Sequence, residues 1–255
     1  MDSFITTPSG NRISYRHIKA GKNFGLVFMH GTLSDKNAAK SKFLEDFCKK
    51  QRISYTAFDF FGHGDSSGRY EDATIGRWRS DALAVLDQVT EGPQIIVGSS
   101  MGGWIMLLAA LARPERVKGL IGLAAAADFT KDLWKSFSEE QKDRIVGEGV
   151  IYIPNGWTEK GDPWARGLFE DAKKHFVLNK KLRKIVCPAT LIHGAKDDCV
   201  PVRTAFKIMD NISSEQAKTI VLKNSGHRLS EPGELDILGR AILEMESDEA
   251  SYFER

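Results

Sequence analysis

Residues 94–104 read Gln94-Ile95-Ile96-Val97-Gly98-Ser99-Ser100-Met101-Gly102-Gly103-Trp104, an apolar strand, a G-x-S-x-G turn and the start of an apolar helix. A turn of this kind at the end of a buried strand lifts one hydroxyl above the edge of a sheet. Gly98 and Gly102 let strand and helix come close, and the spacing selects Ser100, with Ser99 as filler. Ser100 is therefore a candidate nucleophile. Met101 opens the expected helix, Met101 to Ala112, so its backbone N–H has no helical partner and sits at the positive end of the helix dipole. An oxyanion forming beside Ser100 would meet that amide.

Outward from this stretch the chain alternates between strand and helix patterns. Upstream, Ile13 to Ile18 reads as a strand after a Pro8-Ser9-Gly10-Asn11 turn that suggests an antiparallel hairpin, and Gly25 to His30 reads as a strand buried on both faces. A helix is expected over Asn37 to Lys50, with Ala38, Phe43, Leu44 and Phe47 inward, then a strand at Ile53 to Phe60 and a helix at Thr74 to Val89. Downstream come a strand at Gly119 to Ala124, then Ala189 to His193, a helix at Pro201 to Asn211, a strand at Thr219 to Lys223 and a closing helix at Glu234 to Glu244. Alternation of this kind implies a parallel sheet with helices on both faces. It stops over residues 129–178, which hold many aromatic and aliphatic residues mixed with charge but no convincing parallel strand. The expectation is a core formed by 1–128 and 179–255, with 129–178 inserted after the sixth strand as a helical lid.

Composition sets outer bounds. The 255 residues suffice for one large α/β domain, and 42% hydrophobic with 27% charged residues is ordinary for a globular enzyme. A formal net charge of +2 argues against nucleic-acid binding. No window reaches membrane-spanning length, so stable membrane insertion is not expected. Residues 1–10 show no export or organelle signal, and Cys48, Cys187 and Cys199 are odd in number and widely spaced. Both features suit a cytoplasmic protein.

A serine hydroxyl is a weak nucleophile at neutral pH and needs a base, which in turn needs an orienting group. His227 follows the last strand in Asn224-Ser225-Gly226-His227 and is the candidate base. Asp197, just past a strand end in His193-Gly194-Ala195-Lys196-Asp197-Asp198, is the preferred acid, with Asp198 and Asp128 as rivals. His30, His63, His175 and His193 are read as structural. The loop after the third strand, His30-Gly31-Thr32, offers Thr32 N–H as a second oxyanion donor beside Met101 N–H. Trp104, Trp134 and Trp157 are candidates to contact substrate. No metal-ligand spacing is present and no cofactor is expected.

The His30-Gly31 loop, Asp59 to Ser66, the Gly98 to Gly102 elbow, His193-Gly194 to Pro201 and Gly226-His227 together resemble the α/β-hydrolase fold family over nearly the whole chain. The resemblance implies an α/β-hydrolase fold, with a mostly parallel eight-stranded sheet. More narrowly, Asp87 to Trp104, Ala109 to Glu115, Gly147 to Pro154 and Lys196 to Pro201 resemble the branch that holds palmitoyl-protein thioesterases with acyl-glucuronide esterase activity. That implies hydrolysis of acyl esters or thioesters, an S-acylated protein among the candidate substrates, through an acyl-enzyme on Ser100 and without a cofactor, in a bacterial-type counterpart. The resemblance does not fix the acyl group; it is the aromatic and aliphatic lid that suggests a medium or long acyl chain. Same-fold C–C bond hydrolases and perhydrolases share the triad spacing. Non-catalytic ligand-binding relatives usually have an eroded triad, whereas all three positions are filled here.

Overall fold

A computed structural model of the chain describes residues 2–155, 159–178 and 181–246. The chain begins with β1 (Ser3–Thr6) and β2 (Arg12–Ile18), an antiparallel hairpin across the turn that contains Gly10 at φ +83°. It continues as β3 (Gly25–Met29), α1 (Ala39–Gln51), β4 (Ser54–Phe58), α2 (Ile75–Gln88), β5 (Gln94–Ser99), α3 (Met101–Ala112) and β6 (Val117–Leu123). Next come α4 (Phe129–Ser136), α5 (Glu139–Glu148), β7 (Val150–Ile153), β8 (Asp162–Ala165) and α6 (Arg166–Ala172). The chain then returns to alternation with β9 (Ala189–Gly194), α7 (Arg203–Asn211), β10 (Ala217–Leu222) and α8 (Pro232–Glu246).

Eight strands form one sheet in the order β1-β2-β4-β3-β5-β6-β9-β10, antiparallel across β1, β2 and β4 and parallel from β4 to β10. Every residue of β3 and β5 is buried, which is why these strands read as unbroken apolar runs. Side chains alternate between two cores. Val27, Met29 and Ile96 pack with Trp78, Val85, Trp104 and Ile105 of α2 and α3, while Leu26, Phe28, Ile95 and Val97 pack with Leu44, Cys48, Leu238 and Ile242 of α1 and α8. Each such side chain contributes about 1.5–3 kcal/mol by leaving water.

The sheet order reverses at β3, whose chain continues to β4 on one side while β5 lies on the other. In open parallel sheets the crevice at such a switch point is where ligands bind. Met29 lies opposite Gly98, so the loops leaving β3 and β5 start side by side.

The stretch between β6 and β9 differs from a purely helical expectation. Val150–Ile153 and Asp162–Ala165 form a two-stranded antiparallel sheet of their own, Ile151 opposite Trp164. Four-residue strands, one with Pro163 inside it, give too short an alternation to read from sequence. This stretch has its own small core of Phe137, Ile145, Ile151 and Phe169, flanked by Trp134 and Trp164. Ser138 starts α5 with a capping box to Gln141, and Gly149 ends it at φ +87°.

The approach of α3 to the sheet is backbone against backbone. A Cβ on Gly102 would stand 2.2 Å from Met29 O and 2.5 Å from His30 O, and one on Gly98 would stand 2.6 Å from Gly102 O. All of these obstacles are backbone, so nothing can swing aside. Gly102→Ala is expected to cost about 1–3 kcal/mol or more, measured by urea denaturation; an unchanged midpoint would contradict this packing.

Candidate active site

Ser100 occupies the turn between β5 and α3 at φ 52° and ψ −120°, a backbone state that a non-glycine residue adopts only when held there. What holds it is visible. Its N–H donates to Leu123 O, and its carbonyl accepts from Gly103 N–H and Ala126 N–H. The strand, the helix and the loop after β6 thus share one residue.

His227 lies in the loop between β10 and α8, and its Nε2 is 3.0 Å from Ser100 Oγ. Its Nδ1 is 2.9 Å from Asp197 Oδ2. The loops carrying them are packed backbone to backbone: Ala195 N–H donates to Leu222 O and Lys196 N–H to Ser225 O. A Cβ on Gly194 would stand 2.3 Å from Ser225 O, so the His193-Gly194 pair has a steric reason. Lys40 of α1 contacts Arg228 O and Ser230 Oγ, fastening the far side of the histidine loop.

Asp197 accepts from four directions. Cys199 N–H and Val200 N–H donate to Oδ1 at 2.9 and 2.8 Å, while His227 and His193 both reach Oδ2. Burial alone would raise its pKa, but hydrogen bonds from His193, His227 and Val200 N–H hold it well below the usual carboxylate range. The carboxylate therefore stays charged although its side chain is out of solvent. His193 is fully buried, with Nε2 at 2.8 Å from Val200 O and 3.1 Å from Asp197 Oδ2. Its local hydrogen bond was legible from its place at a strand end; its contact with the acid was not, because only the curl of the loop brings residue 197 back under residue 193.

The other candidate acids stand elsewhere. Asp128 is buried and accepts from Val177 N–H and Leu178 N–H, clasping the end of β6 to the chain after α6. Asp198 is exposed and contacts Cys199 Sγ at 3.4 Å. Neither touches His227.

Met101 follows Ser100 directly, and Thr32 follows Gly31, the residue of the loop leaving β3 that lies against Ser100. Gly31 is packed so closely that a Cβ there would be 3.1 Å from Ser100 Cβ and 3.7 Å from its Oγ. Among the described residues neither Thr32 N–H nor Met101 N–H has a protein acceptor. The loop that carries Thr32 is staked at several points that sequence reading did not connect. His30 accepts from Phe60 N–H at Nε2 and donates to Gly31 O from Nδ1; His63 accepts from Leu33 N–H at Nε2 and donates to Phe61 O from Nδ1. Fully buried Lys36 donates to Asp59 and Asp65, and its own N–H donates to Asp59 Oδ1. Asp59 is in turn hemmed in by Gly64, whose Cβ would overlap the carboxylate at 2.2 Å.

The tryptophans divide. Trp104 is fully buried, donates to His175 O and packs between Phe129 and Phe176, the position of a packing residue that shows no face to solvent. Trp134 is half-buried against Phe137 and Phe169 in the small core of the inserted stretch. Trp157 lies outside the described residues. A shallow cavity of about 410 Å³ opens at the seam of this stretch with α2, near Glu71, Arg77, Gly149 and Arg166, and none of its lining residues touches Ser100 or His227. Asp197, Cys199 and His227 also form a cluster of potential metal donors. No described helix is long and apolar enough to cross a membrane.

Residues 26–235 match the Alpha/beta hydrolase family. The chain is 38% identical to Palmitoyl-protein thioesterase ABHD10, mitochondrial, of Homo sapiens over 92% of this chain and 77% of the relative. A solved structure of alpha/beta hydrolase domain-containing protein 10 from mouse superposes with a TM-score of 0.88 at 34% identity, covering 96% of this chain and 98% of that one. A solved structure from Agrobacterium vitis S4 reaches a TM-score of 0.90 at 27% identity over the same shares.

The two staking histidines give the protein a signature on acidification. Burial lowers the pKa of His30 to about 4, and burial together with the neighbouring His30 lowers that of His63 to about 3. Below the ordinary value of 6.5 the unfolded chain takes up these protons while the folded chain does not, so stability present above pH 6.5 is lost as pH falls toward 4. Each group contributes a slope of up to about 1.4 kcal/mol per pH unit. Urea denaturation between pH 7.5 and 4.5 should show His63→Gln with a flatter slope than wild type by about that amount; parallel curves would contradict the neutral buried imidazole.

Proposed function

The chain belongs to the alpha/beta hydrolase family and is a hydrolase, and from that premise we propose that it cleaves acyl esters and thioesters through an acyl-enzyme on Ser100. The observation that carries this reading is the unbroken line of contacts from Asp197 Oδ2 through His227 to Ser100 Oγ, at 2.9 and 3.0 Å. His227 Nε2 takes the Ser100 proton as Oγ bonds to the acyl carbon, and Asp197 keeps Nδ1–H as the donor so that Nε2 is free to accept. The carbonyl oxygen gains charge between Thr32 N–H and Met101 N–H. One donor of this kind is worth about 3–4 kcal/mol in the transition state.

Collapse of the tetrahedral intermediate expels the alcohol or thiol, which receives the proton from His227. Water then attacks the acyl-enzyme with His227 again as base, and the acid leaves. His193 acts through Asp197 as a positioning residue, since its only route to the reacting atoms is that carboxylate.

The substrate class rests on two supports. Relatives similar over most of their length are named palmitoyl-protein thioesterases, and the aromatic and aliphatic residues of 129–178 suit a lid over a medium or long acyl chain. An S-acylated protein is the substrate this reading favours. The cysteines are free thiols among the described residues, which suits a reducing compartment such as the cytoplasm.

Fluorophosphonate labelling and turnover on p-nitrophenyl esters, acyl-CoAs and S-acylated peptides of increasing chain length test the proposal. Wild type should be labelled and Ser100→Ala should not; Asp197→Asn should lose about 10⁴-fold in kcat, with kcat/KM rising by up to about fourfold per methylene until the pocket is filled. Equal turnover by wild type and Ser100→Ala would end the proposal. Preference for vinylogous diketones over every ester would move it to C–C bond hydrolysis.

A further inference from the structure

Beside the contact between His227 and Asp197 stands a third donor that hydrolysis leaves idle. Cys199 is exposed, and its Sγ, one nitrogen of His227 and one carboxylate oxygen of Asp197 all lie within 4.8 Å of one another. The nitrogen on that side is Nδ1, because Nε2 faces Ser100 Oγ. Thiolate, imidazole and carboxylate are the donors that Zn²⁺ takes in tetrahedral sites, with bonds of about 2.0–2.3 Å and hence ligand atoms roughly 3.3–3.7 Å apart. His227 Nδ1 and Asp197 Oδ2 face each other at 2.9 Å, so admitting the ion takes a few tenths of an ångström of separation together with a turn of the half-buried imidazole that aims the Nδ1 lone pair at the metal instead of at Oδ2. Cys199 must swing inward, and it is exposed, with only a weak 3.4 Å contact to Asp198 to give up.

We infer that Asp197, Cys199 and His227 form an inhibitory Zn²⁺ site that switches the hydrolase off by taking its base. The inference rests on the proposed role of His227. In the step, zinc loses water ligands and forms bonds to Nδ1, Sγ and a carboxylate oxygen, with one water remaining in the fourth position. The thiol proton goes to solvent. The imidazole proton leaves Nδ1 and settles on Nε2, where it points at Ser100 Oγ. A ring with Nε2–H can only donate to the serine, so no group remains to accept the Ser100 proton. Thiolate and carboxylate together cancel the ion's two charges, so no net charge is left in the half-buried site. Soft thiolate with imidazole selects zinc over magnesium or calcium, which prefer oxygen donors.

The test uses the full chain and two readouts. Titration with Co²⁺ as a spectroscopic substitute should produce a thiolate-to-cobalt charge-transfer band in wild type and in Cys187→Ser but none in Cys199→Ser. Buffered Zn²⁺ should inhibit wild-type ester hydrolysis reversibly, restored by chelator, while Cys199→Ser, each protein compared with its own metal-free rate, should need at least about 10- to 100-fold more zinc. Absence of the band in wild type, or equal zinc sensitivity of Cys199→Ser, overturns the site. Absence of metal-free turnover would instead defeat the hydrolase reading, and the cobalt band judges the site independently of it.

Discussion

The close contact of backbone with backbone where α3 crosses the ends of β3 and β5 is the constraint on which the rest of the structure depends. Gly102 lies against the carbonyls of Met29 and His30, and Gly98 against Gly102 and Gly103, so the helix starts lower on the sheet than any side chain would permit. That depth forces Ser100 into its unusual backbone state and turns its hydroxyl outward. It also places the first amide of α3 beside the loop leaving β3. A proposed nucleophile and two proposed oxyanion donors are thereby set by three short pieces of main chain, which are stiffer than side chains.

The second half of the site is built on a different principle. Asp197 is withdrawn from solvent yet remains charged, because two backbone amides and two imidazoles donate to it. A buried carboxylate with fewer donors would take a proton and lose its hold on His227. The same crowding of donors at one loop is what brings a thiol, an imidazole and a carboxylate close enough to interest a metal. The order of the acid loop therefore carries both the hydrolytic geometry and the zinc inference.

Between these halves, the loop that carries Thr32 is held by buried polar groups and not by apolar packing alone. His30, His63 and Lys36 each satisfy partners on the neighbouring Asp59 to Ser66 turn or on the loop itself. Polar groups in a water-poor setting are costly unless paired, so a loop that pairs them all has few alternative conformations. Such rigidity is what fixed amide donors need to stabilise developing charge without reorganising.

Much of this was legible in the residues. The alternation of apolar runs with amphipathic stretches implied the parallel sheet, Gly98-x-Ser100-x-Gly102 marked the crossing, and Ser100, Asp197 and His227 stand in contact as their strand-end positions suggested. These features are local: they depend on which residues follow one another, on periodicity and on turn chemistry. Other features arise only when distant segments meet. The burial of Trp104 under Phe129 and Phe176, the commitment of Asp128 to Val177 and Leu178, and the reach of His193 to Asp197 are of that kind, whereas the local hairpin of β7 and β8 was not legible because its strands are too short to show a period. The sequence by itself determined the strands and turns of the main sheet, because periodicity and backbone preference act over a few residues; which side chain faces which was decided by the tertiary structure, because loop closure and packing join residues that no local pattern relates.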